Sequence, residues 1–299
     1  MRTWVSLAAL FAIVLALGAW VYHKRDGENV STYALSELKP GDVKRIRLER
    51  SAPNPQSGAS GEAGAGATPM TNTTIVLQRQ DNHWLMTTPW VARAETFQVD
   101  RMISILDARS AVRYPARELA RYGVDHPQVT LTLEDQTFAY GAINNLTRDQ
   151  YVLTRDAVYV VPLAYITGLP RNAEALLALR LLGDNEAPVR FVLPGFSLTL
   201  REGKWVLSGT AGEASADERN AWVDGWRNAS AIRAARAGPR APLQQISIEL
   251  KDGRTVPIDV LQLEPELVVV RRDEGTEYHL FGESGKRLLT PPGSPVSAK

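Results

Sequence analysis

"NHWLMTTP", residues 82–89, sets a tryptophan inside a short strand-like run and stops it with a proline, and "GKWVLSGT", residues 203–210, repeats the phrase. A helical pattern follows each. After the first, Val99, Met102, Ile103 and Leu106 fall at i, i+3, i+4 and i+7, one apolar stripe of an amphipathic helix. After the second, Ser215 with Glu218 three residues on forms a capping-box signature. Trp222, Val223 and Trp226 then take the places of Met102, Ile103 and Leu106.

The correspondence continues down the chain. Ser110, Val112 and Arg113 match Ser230, Ile232 and Arg233, and "QVTLTLEDQT" (128–137) returns as "QISIELKDGRT" (245–255). "YVLTRD" at Tyr151 pairs with "VVVRRD" at Val268, and Tyr159 and Tyr278 close the series. Landmarks that recur in one order predict two copies of a single unit. Each copy reads as strand, strand, tryptophan-bearing strand, helix, loop and further short strands. The expected fold class is therefore α+β, an antiparallel sheet with one packed helix in each unit. Trp84 and Trp205, with Met102, Ile103, Leu106, Trp222 and Trp226, are the expected structural core; exposed sugar-stacking platforms are the alternative role for the indoles.

The expected organisation is an anchor at 1–25, a tether at 26–42, the first unit at 43–168, a connecting helix at 169–185, the second unit at 186–290 and a disordered tail at 291–299. The Ser/Ala/Gly/Pro-rich stretch at 51–72 reads as a flexible hairpin tip, because it buries too little apolar surface to offset its ordering entropy. "RNAEALLALRLL", Arg171–Leu182, starts after Pro170 and stops at Gly183, which predicts the connecting helix.

The anchor rests on Trp4–Tyr22, which carries no charged residue. As a helix it would span roughly 30 Å, the hydrocarbon thickness of a bilayer, with Trp4, Trp20 and Tyr22 at the two interfaces. A cleavable signal peptide is the alternative, with Ala16 and Gly18 as its small residues. Arg2 flanks one side and Lys24 and Arg25 the other, so the positive-inside count does not favour export of the body.

The 299 residues are 44% hydrophobic and 22% charged, the composition of folded protein, and the formal net charge of +1 gives no global reason to expect nucleic acid as a partner. With no cysteine, disulfides, thiolate nucleophiles and Cys-ligated zinc are excluded. Past the anchor, His83, His126 and His279 have no metal-ligand spacing. "FGESGKR" (281–287) lacks the first glycine and the magnesium-binding hydroxyl of a phosphate loop and reads as a turn. Neither a nucleophile elbow nor a dinucleotide fingerprint is present. The reading is of a non-enzyme without cofactor or metal. Arginines cluster after both helices, and Arg113, Arg117, Arg233 and Arg236 are the candidate partner-binding residues; a solvated surface at a helix C-terminus explains them as well.

The Trp strand with its proline ("HWLMTTPW"), then "RYGVDHPQVTLTL" and "QYVLTRDAVYVVP", resembles the bacterial family known as domain of unknown function 4340. The likeness covers most of residues 73–165, and the second unit is a more divergent echo that lacks the "YG" phrase. The resemblance implies a single-pass inner-membrane protein with a periplasmic body, N-terminus inside, often met beside ABC-type transporter components of the gliding-motility kind. It carries over no catalytic residue. The expected function is a non-catalytic accessory or scaffold subunit of such an envelope transport system; a module binding glycan or anionic lipid headgroups through the arginines is the alternative.

Overall fold

The computed structural model describes residues 32–51, 72–144, 146–209 and 213–294. The expected anchor, most of the tether, nearly all of the Gly/Ala-rich stretch and the end of the tail lie outside them. Among the described residues no helix is long and apolar enough to cross a membrane. No described helix therefore supports the expected single-pass, inner-membrane placement with a periplasmic body.

The first unit comprises β1 (Tyr33–Ala34), β2 (Arg45–Arg50), β3 (Thr73–Gln80), β4 (His83–Thr88), β5 (Ala92–Arg93), α1 (Thr96–Ile103), β6 (Arg109–Ser110), β7 (Arg113–Pro115), β8 (Val129–Leu133), β9 (Gln136–Ile143), β10 (Asp149–Thr154), β11 (Ala157–Pro162) and α2 (Ala164–Thr167). Its nine-stranded sheet runs β5-β4-β3-β2-β8-β9-β10-β11-β7, and β1 and β6 pair separately. Alternation drives this assembly. In β2, Ile46 and Leu48 are buried between exposed Arg45 and Arg47, and in β8 Val129, Leu131 and Leu133 are buried. The residues expected as tether join the unit from the start of β1, and Leu35 is fully buried in its core.

The second unit comprises β12 (Pro188–Leu193), β13 (Phe196–Arg201), β14 (Lys204–Gly209), α3 (Ala216–Arg227), β15 (Arg233–Arg236), β16 (Gln244–Leu250), β17 (Thr255–Gln262), β18 (Glu266–Arg271), β19 (Thr276–Phe281) and α4 (Gly282–Leu289). Its eight-stranded sheet runs β14-β13-β12-β16-β17-β18-β19-β15. That is the path β4-β3-β2-β8-β9-β10-β11-β7 of the first sheet, strand for strand, with β5 as the one addition. The capping box of Ser215 and Glu218 opens α3.

The fold class differs from the α+β expectation of one helix per unit. The chain is β-rich: the helices among the described residues are short, of eight, four, twelve and eight residues, and each unit carries two of them. The second helix of each unit follows the last long strand, where "AYIT" and "GESGKRLL" show no apolar stripe long enough to read. "FGESGKR", expected as a turn, thus enters α4.

The connecting helix is also absent as such. A single 3-10 turn at Glu174–Leu176 gives way to extended chain. Leu176 and Leu177 belong to the first core, Leu181 and Leu182 to the second, so this leucine run is shared between two bodies and does not line one face of a helix. Ala94 bridges Leu177, and Arg180 bridges Ser230, stitching the connector to both units.

Candidate functional site

Two cores meet at this connector. In the first, α1 lays Val99, Met102 and Ile103 on Trp84 and Met86; Trp84 is 4% exposed. Leu106, in the 3-10 turn after α1, belongs to the same core. In the second, Trp205, Trp222 and Trp226 surround Phe191 with ring centroids 5.1–5.7 Å away. Ala234 of β15 packs against both cores.

Charged groups are buried at the same seam. Arg271, 1% exposed, closes a bidentate pair on Glu186, with Nη1 donating to Oε2 at 2.8 Å and Nη2 to Oε1 at 3.0 Å. Its remaining donors reach Leu181 O at 2.8 Å and Asp273 Oδ1 at 3.2 Å. Arg93, from β5 of the first unit, enters this cluster from the other side: Nε meets the Glu274 carboxylate, and Nη2 donates to Arg180 O (2.8 Å), Leu181 O (3.1 Å) and Tyr278 Oη (3.2 Å). Tyr278 in turn donates to Glu274 Oε2 at 2.9 Å.

Burial opposes charge on Glu186, Arg93 and Arg271, and their partners outweigh it. Burial pushes the Glu186 carboxyl up, yet the hydrogen bonds and charge of Arg271 hold it below the ordinary range. Burial likewise disfavours the Arg93 and Arg271 cations, and their carboxylate partners raise both. Burial, then the charge of Glu274, pushes the Tyr278 phenol up, so it stays a donor. Beside the cluster opens a polar cavity of about 510 Å³ between the units, lined by Arg93, Arg180, Glu186 and Arg254 among others. Arg180 is paired with Asp184 at 2.7 Å and Arg254 with Asp252 at 2.8 Å, so these four charges lining the space are committed to one another. No cluster among the described residues has the makings of a metal site.

The four arginines proposed for partner binding do not form one patch. Arg113 pairs with Asp156 at 3.2 Å, Arg233 with Glu266 at 3.1 Å, and Arg236 lies over the Trp90 ring, 5.5 Å from its centroid. Arg117 is exposed. Arg113 lies opposite Tyr159 whereas Arg233 lies opposite His279. Because Tyr159 and Tyr278 are the residues that face the two cores, the arginines are one residue out of register and leave opposite faces of their sheets.

Arg93, Glu186, Arg271 and Glu274 were not singled out from the sequence, and His279 was weighed only as a metal ligand. One signal was available: in "TEYHLF" the apolar Tyr278 and Leu280 alternate with Glu277 and His279, which puts the two ionisable groups together on the face away from the core.

Residues 84–224 match the family model described as Domain of unknown function (DUF4340). This stretch of the chain belongs to that family. The DUF4340 match opens on Trp84 and ends inside α3, so it takes in both tryptophan strands, the connector and the Arg93 and Glu186 members of the seam. No curated protein and no solved structure matches the chain.

Proposed function

We propose that this protein is a non-catalytic accessory or scaffold subunit that presents two β-rich units, locked at a fixed angle, to a larger assembly. The family resemblance points to an ABC-type transport system as that assembly. The observation that carries the reading is Arg93: a half-buried side chain of the first unit is held by Glu274 and Tyr278 of the second and by the connector carbonyls, so the halves move as one body. Breaking such a pair strands a buried charge, which is a strong constraint on hinge motion.

Crosslinking the full chain in cells and identifying what is captured tests the proposal. Recovery of transporter components is expected, with the yield reduced by Arg93→Met; recovery of the bait alone overturns it. Glycan or anionic headgroup binding through the arginines is the weaker reading, because Arg113, Arg233 and Arg236 are engaged within the fold.

A further inference from the structure

The C-terminal helices enclose a second space, apart from the seam. The indoles of α3 reach across to the end of α4, with Trp222 Nε1 donating to Thr290 O at 2.8 Å and Trp226 Nε1 to Leu288 O at 3.1 Å. Between α3, α4 and the turn at 291–294 lies a groove of about 580 Å³, lined by Trp222, Gly225, Leu280, Leu288 and Pro291, with Arg287 at its rim.

Gly225 sits inside a twelve-residue helix, where glycine is less stable than alanine. A Cβ there would meet only Leu288 Cδ2, at 3.7 Å, an ordinary contact, so packing does not demand glycine. Its missing side chain leaves the space open. The charges at this end are unequal in their freedom. Lys286 is paired with Glu264 at 2.8 Å, and the Glu218 carboxylate accepts from Ser215 N at 2.7 Å. Arg287 is exposed and has no ion-pair partner among the described residues. An apolar trough therefore ends in one available cation.

Sixteen residues line the groove, fewer than the roughly 20–30 a side of a stable protein interface, while its volume lies within the range of about 300–1,000 Å³ typical of small-ligand sites. We propose that it binds an anionic amphiphile, with an acyl chain over Trp222 and Leu288 and a carboxylate or phosphate head on Arg287. The inference stands apart from the docking reading, since neither Arg93 nor the seam takes part.

Calorimetric titration of the full chain with decanoate, decyl phosphate and decyltrimethylammonium, each below its micelle concentration, tests it. Saturable binding of one or both anions is expected, and the stronger of the two identifies the head group. Gly225→Met, which fills the trough, and Arg287→Glu, on the exposed rim, should each weaken binding by about tenfold or more. Gly225→Ala should bind like the natural chain and melt no lower. Absence of saturable binding by either anion, equal binding of the cation, or unchanged binding by Arg287→Glu and by a folded Gly225→Met overturns the proposal.

Discussion

The two units follow one strand path and yet cover the outer faces of their sheets with different chemistry. In the first, the 3-10 turn Leu119–Tyr122 lays Tyr122 on Tyr114 and Tyr151, at centroid distances of 5.4 and 5.1 Å, over a fully buried Val158. In the second, the same region holds His279 between Glu266 and Glu277, each 2.7 Å away, with Arg233 on Glu266 and Arg240 on Glu277. Each ring nitrogen of His279 thus faces a carboxylate, Nδ1 that of Glu266 and Nε2 that of Glu277. One scaffold thus tolerates a cover that is apolar and undirected and one that is ionic and geometrically exacting.

The contrast extends inward and predicts the largest effect. The last residue of β10 is Thr154, buried and accepting a hydrogen bond from Gln136 Nε2 at 2.9 Å; the last residue of β18 is Arg271, buried in its acid cluster. Arg271→Met should cost about 3–5 kcal/mol, because it strands Glu186 without its partner. Thr154→Val, which removes one neutral hydrogen bond, should cost about 1 kcal/mol. Urea denaturation of both variants checks the ratio; equal losses would show that the buried charges of the second unit carry no special weight.

Gly141→Ala addresses the apolar cover. A Cβ at this position would lie 2.3 Å from Tyr122 O and 2.4 Å from Val124 Cγ1. The "YG" of Tyr140 and Gly141 thus lets the "RYGV" turn sit flush on β9. The clash should cost about 1–3 kcal/mol by overpacking and free the Tyr122 ring, seen as loss of near-ultraviolet circular dichroism. If that signal is unchanged, the cover is not seated on Gly141.

The repeat was legible from the sequence, as were the tryptophan strands and the start of α3, because each rests on a local signal: period-2 alternation, a 3.6-residue stripe, a capping box. The connector was not, because "LLALRLL" satisfies a helical pattern while its leucines are divided between two cores that only the tertiary fold brings together. The one-residue slip between Arg113 and Arg233 was hidden for a related reason, since matching by spacing through a loop does not fix which face a strand residue takes. The seam itself draws on Arg93, Glu186, Arg271 and Glu274, too far apart in the chain to form a motif.

Acid should separate the two covers. The hydrogen bond from His279, then that from Arg233, holds the Glu266 carboxyl below its ordinary range. A depressed carboxylate contributes stability in full above its unfolded value of about 4.3, and that contribution is lost as pH falls through the lower folded value. Hydrogen exchange around Arg233, which pairs with Glu266, should therefore accelerate relative to its intrinsic rate between neutral and acidic pH. The turn at 119–122 should change little. Parallel acceleration of both segments would mean that the ionic network does not hold its own cover.

The smallest measurable effect belongs to a contact that joins an arginine of β15 to the first unit. Arg236 is exposed, and its guanidinium lies 5.5 Å from the centroid of the Trp90 ring. Solvent attenuates such a contact, so Arg236→Ala should lower stability by about 0.5–1 kcal/mol, and Arg117→Ala, exposed on the first unit, by nothing measurable. Arg93 makes the same crossing between units but is paired with the buried Glu274 carboxylate, and the effect of its removal should far exceed that of Arg236. Denaturation midpoints for the three variants order them. A loss at Arg236 as large as at Arg93 would move the main contact between the units from the acid cluster to the Trp90 indole.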